Sequence, residues 1–140
     1  MKTVLYADDD MDDRSWVMDA CTRLKSSFQI EFVKNGKEVL GHLSGLFESD
    51  FPSLIVLDLN MPELDGRKTL HALKFNSVYK HIPVIIVTTS SSKLDREICR
   101  RLGASLFLIK PNSHSEWQNI IREFEPFLYK TDVFDIHAEN

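Results

Sequence analysis

The sequence predicts a doubly wound α/β fold, in which a parallel sheet of five strands carries helices on both faces. Short apolar runs alternate along the chain with segments whose apolar residues recur every three or four positions. Strands that alternate with helices favour parallel pairing, because a parallel crossover needs a long connection. The 140 residues are 43% hydrophobic and 27% charged, which suits one globular domain whose core needs no disulfide or structural metal.

The first two strand–helix units follow from this alternation. The run TVLYA predicts the first strand, and the next apolar residues predict one buried helix face: Trp16, Val17, Ala20, Leu24 and Phe28. The run IEFV predicts the second strand. After the turn NG, a second helix is expected, with the apolar stripe Val39, Leu40, Leu43 and Leu46. The segment GLFESDFPS is expected to be a loop.

The middle of the chain predicts the two most buried strands. LIVLDL is apolar enough for a central strand, and the loop NMPELDG separates it from a helix over about Arg67–Phe75. IPVIIVTT, the most β-branched run, predicts another central strand. Ser92 and Asp95 then form a capping box for a helix that ends near Gly103.

The last predicted strand is LFLIK, and Ser113 with Glu116 is the candidate cap of the final helix. Five strands and five helices in this order are the content of a flavodoxin-like sheet, in which sites form at the carboxyl ends of strands. We expect residues 1–129 to form the domain and residues 130–140 to be a C-terminal tail, with no output domain.

Charge and composition narrow the class of function. Seventeen basic against 21 acidic residues give a net charge of -4, so no basic field favours direct nucleic-acid binding. No apolar run reaches the ~20 residues of a membrane span, and a cytoplasmic protein without membrane insertion is expected. Cys21 and Cys99 are expected to be reduced core thiols. The five histidines lack metal-ligand spacing and are expected to be ordinary surface or satisfied side chains: His42, His71, His81, His114 and His137.

Polar residues end four of the five predicted strands. They are Asp8, Asp9 and Asp10 on the first strand, Asp58 on the third, Thr88 and Thr89 on the fourth, and Lys110 on the fifth. Because the carboxyl ends of parallel strands share one edge of the sheet, these residues should converge.

This set predicts metal-assisted phosphate chemistry. Adjacent carboxylates at a partly buried edge repel one another unless a proton or a cation relieves them. Oxygen ligands without nearby His or Cys favour Mg²⁺, with Mn²⁺ as a second choice, over zinc or copper. With Asp58 as nucleophile, Thr88 as hydroxyl donor and Lys110 as cation, in-line phosphoryl transfer to a carboxylate is plausible.

The ordered motifs ADDD, VLDLNMPELDG, PVIIVTTS and LIKP at strand ends resemble the receiver domain of two-component response regulators. LDLNMP with TTS is most similar to stand-alone, chemotaxis-regulator-like receivers related to those that serve bacterial phytochromes. The resemblance implies that Asp58 accepts a phosphoryl group from a sensor histidine kinase or a histidine phosphotransfer protein. It also implies a downstream protein partner or a homodimer, and no enzyme activity beyond self-phosphorylation and self-dephosphorylation.

The same resemblance assigns individual roles. It implies a metal site made by Asp8, Asp9, Asp58 and the backbone carbonyl of Asn60. Thr88 would bond a phosphoryl oxygen, Lys110 would pair with the phosphate, and the Lys110–Pro111 peptide is expected to be cis. Phe107 stands where many receivers have a switch Tyr; its ring can move but lacks the hydroxyl.

Other charged residues have simpler interpretations. Asp12 and Asp13 are expected to be first-turn helix residues, favoured by the helix dipole, and not ligands. Arg96, Arg100 and Arg101 form either a solvated helix face or a dock for a partner's acidic surface.

Two alternatives remain open. Asp8-x-Asp10 after a strand also resembles the nucleophile motif of haloacid dehalogenase-type phosphatases, although Asp12 stands where that family expects Thr or Val. The second alternative is a receiver-like interaction module that works without phosphorylation. The absence of the switch hydroxyl at Phe107 is compatible with such a module.

Overall fold

The computed structural model describes residues 2–129. Five parallel strands form one sheet in the order β2-β1-β3-β4-β5. The strands are β1 Thr3–Ala7, β2 Gln29–Val33, β3 Leu54–Leu57, β4 Val84–Thr88 and β5 Leu106–Ile109. The helices are α1 Met11–Leu24, α2 Gly36–Ser44, α3 Gly66–Lys74, α4 Lys93–Leu102, α5 His114–Arg122 and α6 Glu125–Tyr129. The prediction of a flavodoxin-like doubly wound sheet is confirmed.

The strand order reverses beside β1. The chain passes from β1 to the edge strand β2 and then returns to β3 on the other side of β1. In open parallel sheets, a crevice forms at the carboxyl ends of the two strands that flank such a reversal. The topology therefore places the residues after β1 and β3 at the position where doubly wound proteins bind their ligands.

Two apolar layers cover the sheet, one on each face. Alternate residues of β1 divide between them, because successive side chains of a strand point to opposite faces. Val4 and Tyr6 pack with α1, α5 and α6, whereas Leu5 and Ala7 pack with α2, α3 and α4. These layers hold the strands firmly, so the strand ends form a rigid platform.

Local capping explains most helix boundaries. Ser92 caps α4 by accepting the backbone N–H of Asp95, as predicted, and Gly103 ends it at φ 104. Helix α3 begins at Gly66 because the side chain of Asp65 caps it, one residue before the predicted start. The side chain of Ser113 caps no backbone N–H and instead donates to the Glu116 carboxylate, so the predicted cap does not form.

Both cysteines are free thiols, with Cys99 buried and Cys21 partly buried. No helix among the described residues has the length and apolar character to cross a membrane. The predicted tail at residues 130–140, with His137, lies outside the described residues.

Candidate functional site

The three adjacent carboxylates after β1 have different environments. Asp8 is fully buried, and its Oδ1 accepts the backbone N–H of Asp10 at 2.9 Å. Asp9 is exposed. Asp10 turns away to cap α1, accepting the backbone N–H groups of Asp12 at 2.9 Å and Asp13 at 3.1 Å. Of these three adjacent residues, only Asp8 and Asp9 therefore offer carboxylates to the crevice.

Asp58 follows β3 and is placed by backbone contacts on both sides. Its N–H donates to the carbonyl of Ala7 at 3.1 Å, which continues the pairing of β3 with β1. Its Oδ1 accepts the backbone N–H of Asn60 at 3.3 Å. Gly66 approaches so closely that a Cβ there would overlap the carbonyl oxygen of Asp58. Asp58 itself is 5% exposed.

Asp8, Asp9 and Asp58 form a candidate metal centre, since each has a carboxylate oxygen within 4.8 Å of the others. Asp8 Oδ2 is buried and has an ion pair with Lys110 at 3.0 Å, but within residues 2–129 no donor meets it with hydrogen-bond geometry. Burial raises the pKa of Asp8 from 3.8 to about 6, against the lowering effects of the Asp10 N–H and Lys110. A buried, under-satisfied oxygen among hard oxygen donors fits a divalent cation.

Lys110, directly after β5, joins the carboxylates. Its Nζ donates to Asp13 Oδ2 at 2.6 Å and to Asp58 Oδ2 at 2.9 Å, and it lies 3.0 Å from Asp8 Oδ2. Its side chain is only 8% exposed. Burial lowers the pKa of Lys110, but the hydrogen bonds to Asp13 and Asp58 and the charges of Asp58 and Asp8 outweigh burial and raise it. The ammonium therefore stays charged.

Asp13 is the site residue that sequence reasoning missed. It occupies the first turn of α1, as predicted, but its side chain is 15% exposed and bonds Lys110 from 97 residues away. The available signal was geometric: helical side chains lean toward the helix N-terminus, which here points at the strand ends.

The predicted cis peptide between Lys110 and Pro111 was wrong. Every peptide bond in the described part of the chain is trans. The trans form is the lower-energy isomer even before proline, and from it Lys110 reaches all three carboxylates.

Thr88 ends β4 and is fully buried. Its Oγ1 accepts the backbone N–H of Ser90 at 3.3 Å, while Ser90 Oγ donates to Asp95 Oδ2 at 2.7 Å. Arg67 of α3 completes this network by donating to Asp95 Oδ1 at 2.6 Å. The hydrogen bond from Ser90 and the Arg67 guanidinium lower the pKa of Asp95. The loop after Thr88 is thus tied to both α3 and α4.

Phe107, in the middle of β5, is partly buried. It lies beside α4, the helix that follows the loop after Thr88. The Arg96 guanidinium lies over its ring, 4.9 Å from the centroid, and also donates to the Phe107 carbonyl at 3.5 Å. The first contact is a cation–π interaction. It occupies Arg96, whereas Arg100 and Arg101 pair with Glu97 on the helix surface.

The fold and the site define a doubly wound α/β protein with an acidic, lysine-bearing crevice at the strand reversal. The chain belongs to the response regulator receiver domain family, which it matches over residues 4–122. This is a family of signalling domains in two-component systems, and the predicted class of function is confirmed.

Individual relatives agree with this assignment. The chain is 29% identical over 133 residues to the response regulator Rcp1 of Synechocystis, covering 93% of this chain and 90% of Rcp1. The Mn²⁺-bound structure of Rcp1 superposes with a TM-score of 0.77, at 28% identity over 91% of this chain and 94% of that one. The phosphorylated cyanobacterial phytochrome response regulator RcpA gives a TM-score of 0.82, at 27% identity over 93% and 95%.

Proposed function

We propose that Asp58 is the phosphoacceptor of this receiver domain, which residues 1–129 would form. The observation that carries the proposal is the position of its carboxylate, which lies 2.9 Å from Lys110 and within 4.8 Å of the other two acids of the metal centre. One nucleophile, one fixed cation and a candidate metal site thus meet at one edge of the sheet. The phosphorylated state of the similar protein RcpA supports this assignment.

The candidate metal centre would hold Mg²⁺, with Mn²⁺ as a substitute, through Asp8, Asp9, Asp58 and the backbone carbonyl of Asn60. The Mn²⁺-bound form of Rcp1 supports a divalent ion in a protein of this kind. When bound, the ion would neutralise charge on the phosphoryl oxygens and on the acids around them.

The donor would be a phosphohistidine of a sensor histidine kinase or a histidine phosphotransfer protein. An oxygen of the Asp58 carboxylate attacks phosphorus in line, the phosphorus–nitrogen bond breaks, and the imidazole leaves with the electron pair and takes a proton. Lys110 pairs with the transferred phosphoryl oxygens. Water later cleaves the acyl phosphate, which releases inorganic phosphate and restores the carboxylate.

The signal would pass through Thr88 and Phe107. A phosphoryl group on Asp58 gives the Thr88 O–H a charged acceptor, and that bond would be stronger than the one its Oγ1 accepts from the neutral Ser90 N–H. Movement of Thr88 toward that acceptor pulls on the loop held by Ser90 and Asp95, and leaves space for the Phe107 ring. This two-state change would be recognised by a downstream protein or by a second copy of the chain.

The site favours a phosphoaccepting receiver domain over a haloacid dehalogenase-type phosphatase. In such an enzyme, the second acid of the Asp8-x-Asp10 pair would act on the substrate, but Asp10 is exposed and caps α1. Asp58, which that mechanism does not need, lies instead in the crevice with Lys110.

The test is to treat the purified protein with acetyl phosphate and Mg²⁺, trap the acyl phosphate with borohydride, and locate the reduced residue by mass spectrometry. We expect the label on Asp58, none in Asp58→Asn, and unchanged labelling in Asp19→Asn, which alters a surface acid paired with Arg23. Label on Asp8 would support the phosphatase instead. Absence of label from folded protein would support an interaction module that works without phosphorylation.

A further inference from the structure

The shortest contact of the Lys110 ammonium is with Asp13 and not with the proposed phosphoacceptor. Nζ lies 2.6 Å from Asp13 Oδ2, compared with 2.9 Å from Asp58 and 3.0 Å from Asp8. Asp13 is carried by α1, whereas the other two acids end strands of the sheet. Lys110 is therefore held from outside the metal centre as well as from within it.

We propose that Asp13 is a positioning residue, which holds the Lys110 ammonium at the phosphoryl site and so speeds phosphorylation of Asp58. The inference rests on the proposed function of Asp58. Asp13 acts through Lys110 and needs no contact with the phosphoryl group.

The reaction itself explains why such an anchor is needed. Phosphoryl transfer turns the Asp58 carboxylate into an acyl phosphate, so Lys110 must exchange its bond to Asp58 for one to a phosphoryl oxygen. A lysine side chain has about four rotatable bonds and loses conformational entropy when its ammonium is fixed in one place. Asp13 is unchanged by the reaction, and its bond to Nζ can persist in both states. That bond keeps the ammonium's remaining N–H groups aimed into the crevice.

Asp13 also brings a negative charge near the incoming phosphoryl group, and repulsion between the two would slow phosphorylation of Asp58. If repulsion between Asp13 and the phosphoryl group dominated, removal of the charge would speed the reaction. If anchoring dominates, removal of Asp13 slows it. The sign of the rate change therefore separates the two effects.

Asp12 provides a matched control. It precedes Asp13 in the same first turn of α1 and has the same favourable relation to the helix dipole, but its side chain is exposed. Replacement of either acid removes one negative charge from the same turn. Only the replacement of Asp13 removes a bond to Lys110.

The experiment compares Asp13→Ala, Asp13→Asn, Asp12→Ala and Asp12→Asn with the wild type. The rate of Asp58 labelling by acetyl phosphate is measured at saturating Mg²⁺, and urea unfolding reports stability. We expect Asp13→Ala to be about tenfold slower than the wild type, the effect of one lost charge-assisted hydrogen bond. Asp13→Asn keeps a neutral acceptor oxygen and should be about threefold slower. Both Asp12 variants should react at the wild-type rate.

A second readout follows Lys110 directly. The nitrogen-15 NMR signal of its ammonium should broaden or move in Asp13→Ala and stay unchanged in Asp12→Ala. A merely structural role for Asp13 would lower stability without this change and without a slower reaction at full folding.

The possible failures are distinguishable. If wild-type Asp58 takes no label, the proposed function fails. If the wild type is labelled but the Asp13 variants match the Asp12 variants, or react faster than the wild type, the Asp13 inference is overturned and the proposed function stands. If Asp13→Ala does not fold, the comparison of Asp13→Asn with Asp12→Asn decides.

Discussion

The site has two halves that are built from different interactions. The acidic half is the set Asp8, Asp9, Asp13, Asp58 and Lys110, and the switch half is the set Thr88, Ser90, Asp95, Arg96 and Phe107. In the acidic half, ionic side chains contact one another directly and are mostly buried. In the switch half, a loop hydrogen bond of 3.3 Å and a cation–π contact at the surface hold the two residues expected to move.

Because the two halves are held by interactions of different strength, substitutions in them should affect phosphorylation and signalling separately. Loss of Lys110, the cation paired with three mostly buried acids, would cost about 3–5 kcal/mol, because it leaves uncompensated charges. An exposed cation–π contact contributes about 0.5–1 kcal/mol. Substitutions in the acidic half should therefore alter metal binding and phosphorylation strongly. Substitutions in the switch half should leave the chemistry intact and change only how easily the loop and ring move.

The largest effect is expected for Asp8→Asn in the acidic half. The variant loses a charged group of the proposed metal centre, and we expect Mg²⁺ to bind at least about 100-fold more weakly. Without metal, the same variant should be more stable than the wild type at pH 7 by up to about 3 kcal/mol, because it no longer buries a carboxylate whose pKa is raised. Urea unfolding with EDTA and with Mg²⁺ measures both changes.

Asp12→Asn is the control for this variant, since it removes a nearby charge that is exposed. It should change neither Mg²⁺ affinity nor metal-free stability by much. A metal-free Asp8→Asn protein less stable than the wild type would contradict the assignment of Asp8 as a costly buried charge.

The next effect is the pH dependence of metal-free stability. The pKa of Asp8 is about 6 in the folded protein and 3.8 as its ordinary value, so the folded state holds its proton over this range while the unfolded state has lost it. Stability from Asp8 is thus fully present below about pH 4 and is lost as pH rises through 6, by up to about 3 kcal/mol.

The difference in free energy of unfolding between the wild type and Asp8→Asn isolates this contribution. Other acids, such as Asp95 with its lowered pKa, are common to both proteins and cancel. The difference should fall steadily between pH 4 and pH 7 in EDTA. A difference that does not vary with pH would mean that Asp8 titrates alike in both states.

The acidic half could largely be predicted from the sequence, and the switch half could not. Asp8, Asp58 and Lys110 end strands, and a parallel topology brings strand ends to one edge whatever the details of packing. The fold follows from the same alternation of strand and helix patterns. Neither inference needs the orientation of any helix on the sheet.

The remaining contacts depend on how helices dock. Asp13 reaches Lys110 only because α1 begins at Met11 and leans over the strand ends, and a shift of one residue would turn it by about 100°. The pair Arg67 and Asp95 joins α3 to α4, and Arg96 covers Phe107 from α4. Period and propensity carry no information about such contacts between elements. The isomer of the Lys110–Pro111 peptide is likewise set by local energy differences that the motif does not encode.

A steric test shows how closely the acidic half is supported. At Gly66, a Cβ would overlap the carbonyl oxygen of Asp58, and it would lie 2.8 Å from Leu59 Cα. Because both are backbone atoms, Gly66→Ala should displace the Asp58 turn and cost about 1–3 kcal/mol. Gly41, in the middle of α2, has open space around its Cβ position, so Gly41→Ala should stabilise by about 0.5–1 kcal/mol. Thermal unfolding and Mg²⁺ titration of Gly66→Ala and Gly41→Ala test this prediction. Equal effects of the two substitutions would contradict the close approach of Gly66 to the Asp58 backbone.

The smallest effect is expected in the switch half, for Arg96→Ala. Loss of the guanidinium from the Phe107 ring should lower the free energy of unfolding by about 0.5–1 kcal/mol, while Arg96→Lys, which retains a cation, should lose less. Fluorine NMR of protein labelled with fluorophenylalanine should show faster exchange of the Phe107 ring in Arg96→Ala. The rate of Asp58 labelling and the affinity for Mg²⁺ should match the wild type, because Arg96 has no contact with the acidic half among the interactions of residues 2–129. A slower labelling rate in this variant would mean that the two halves are coupled before phosphorylation, and that the ring position already influences the chemistry.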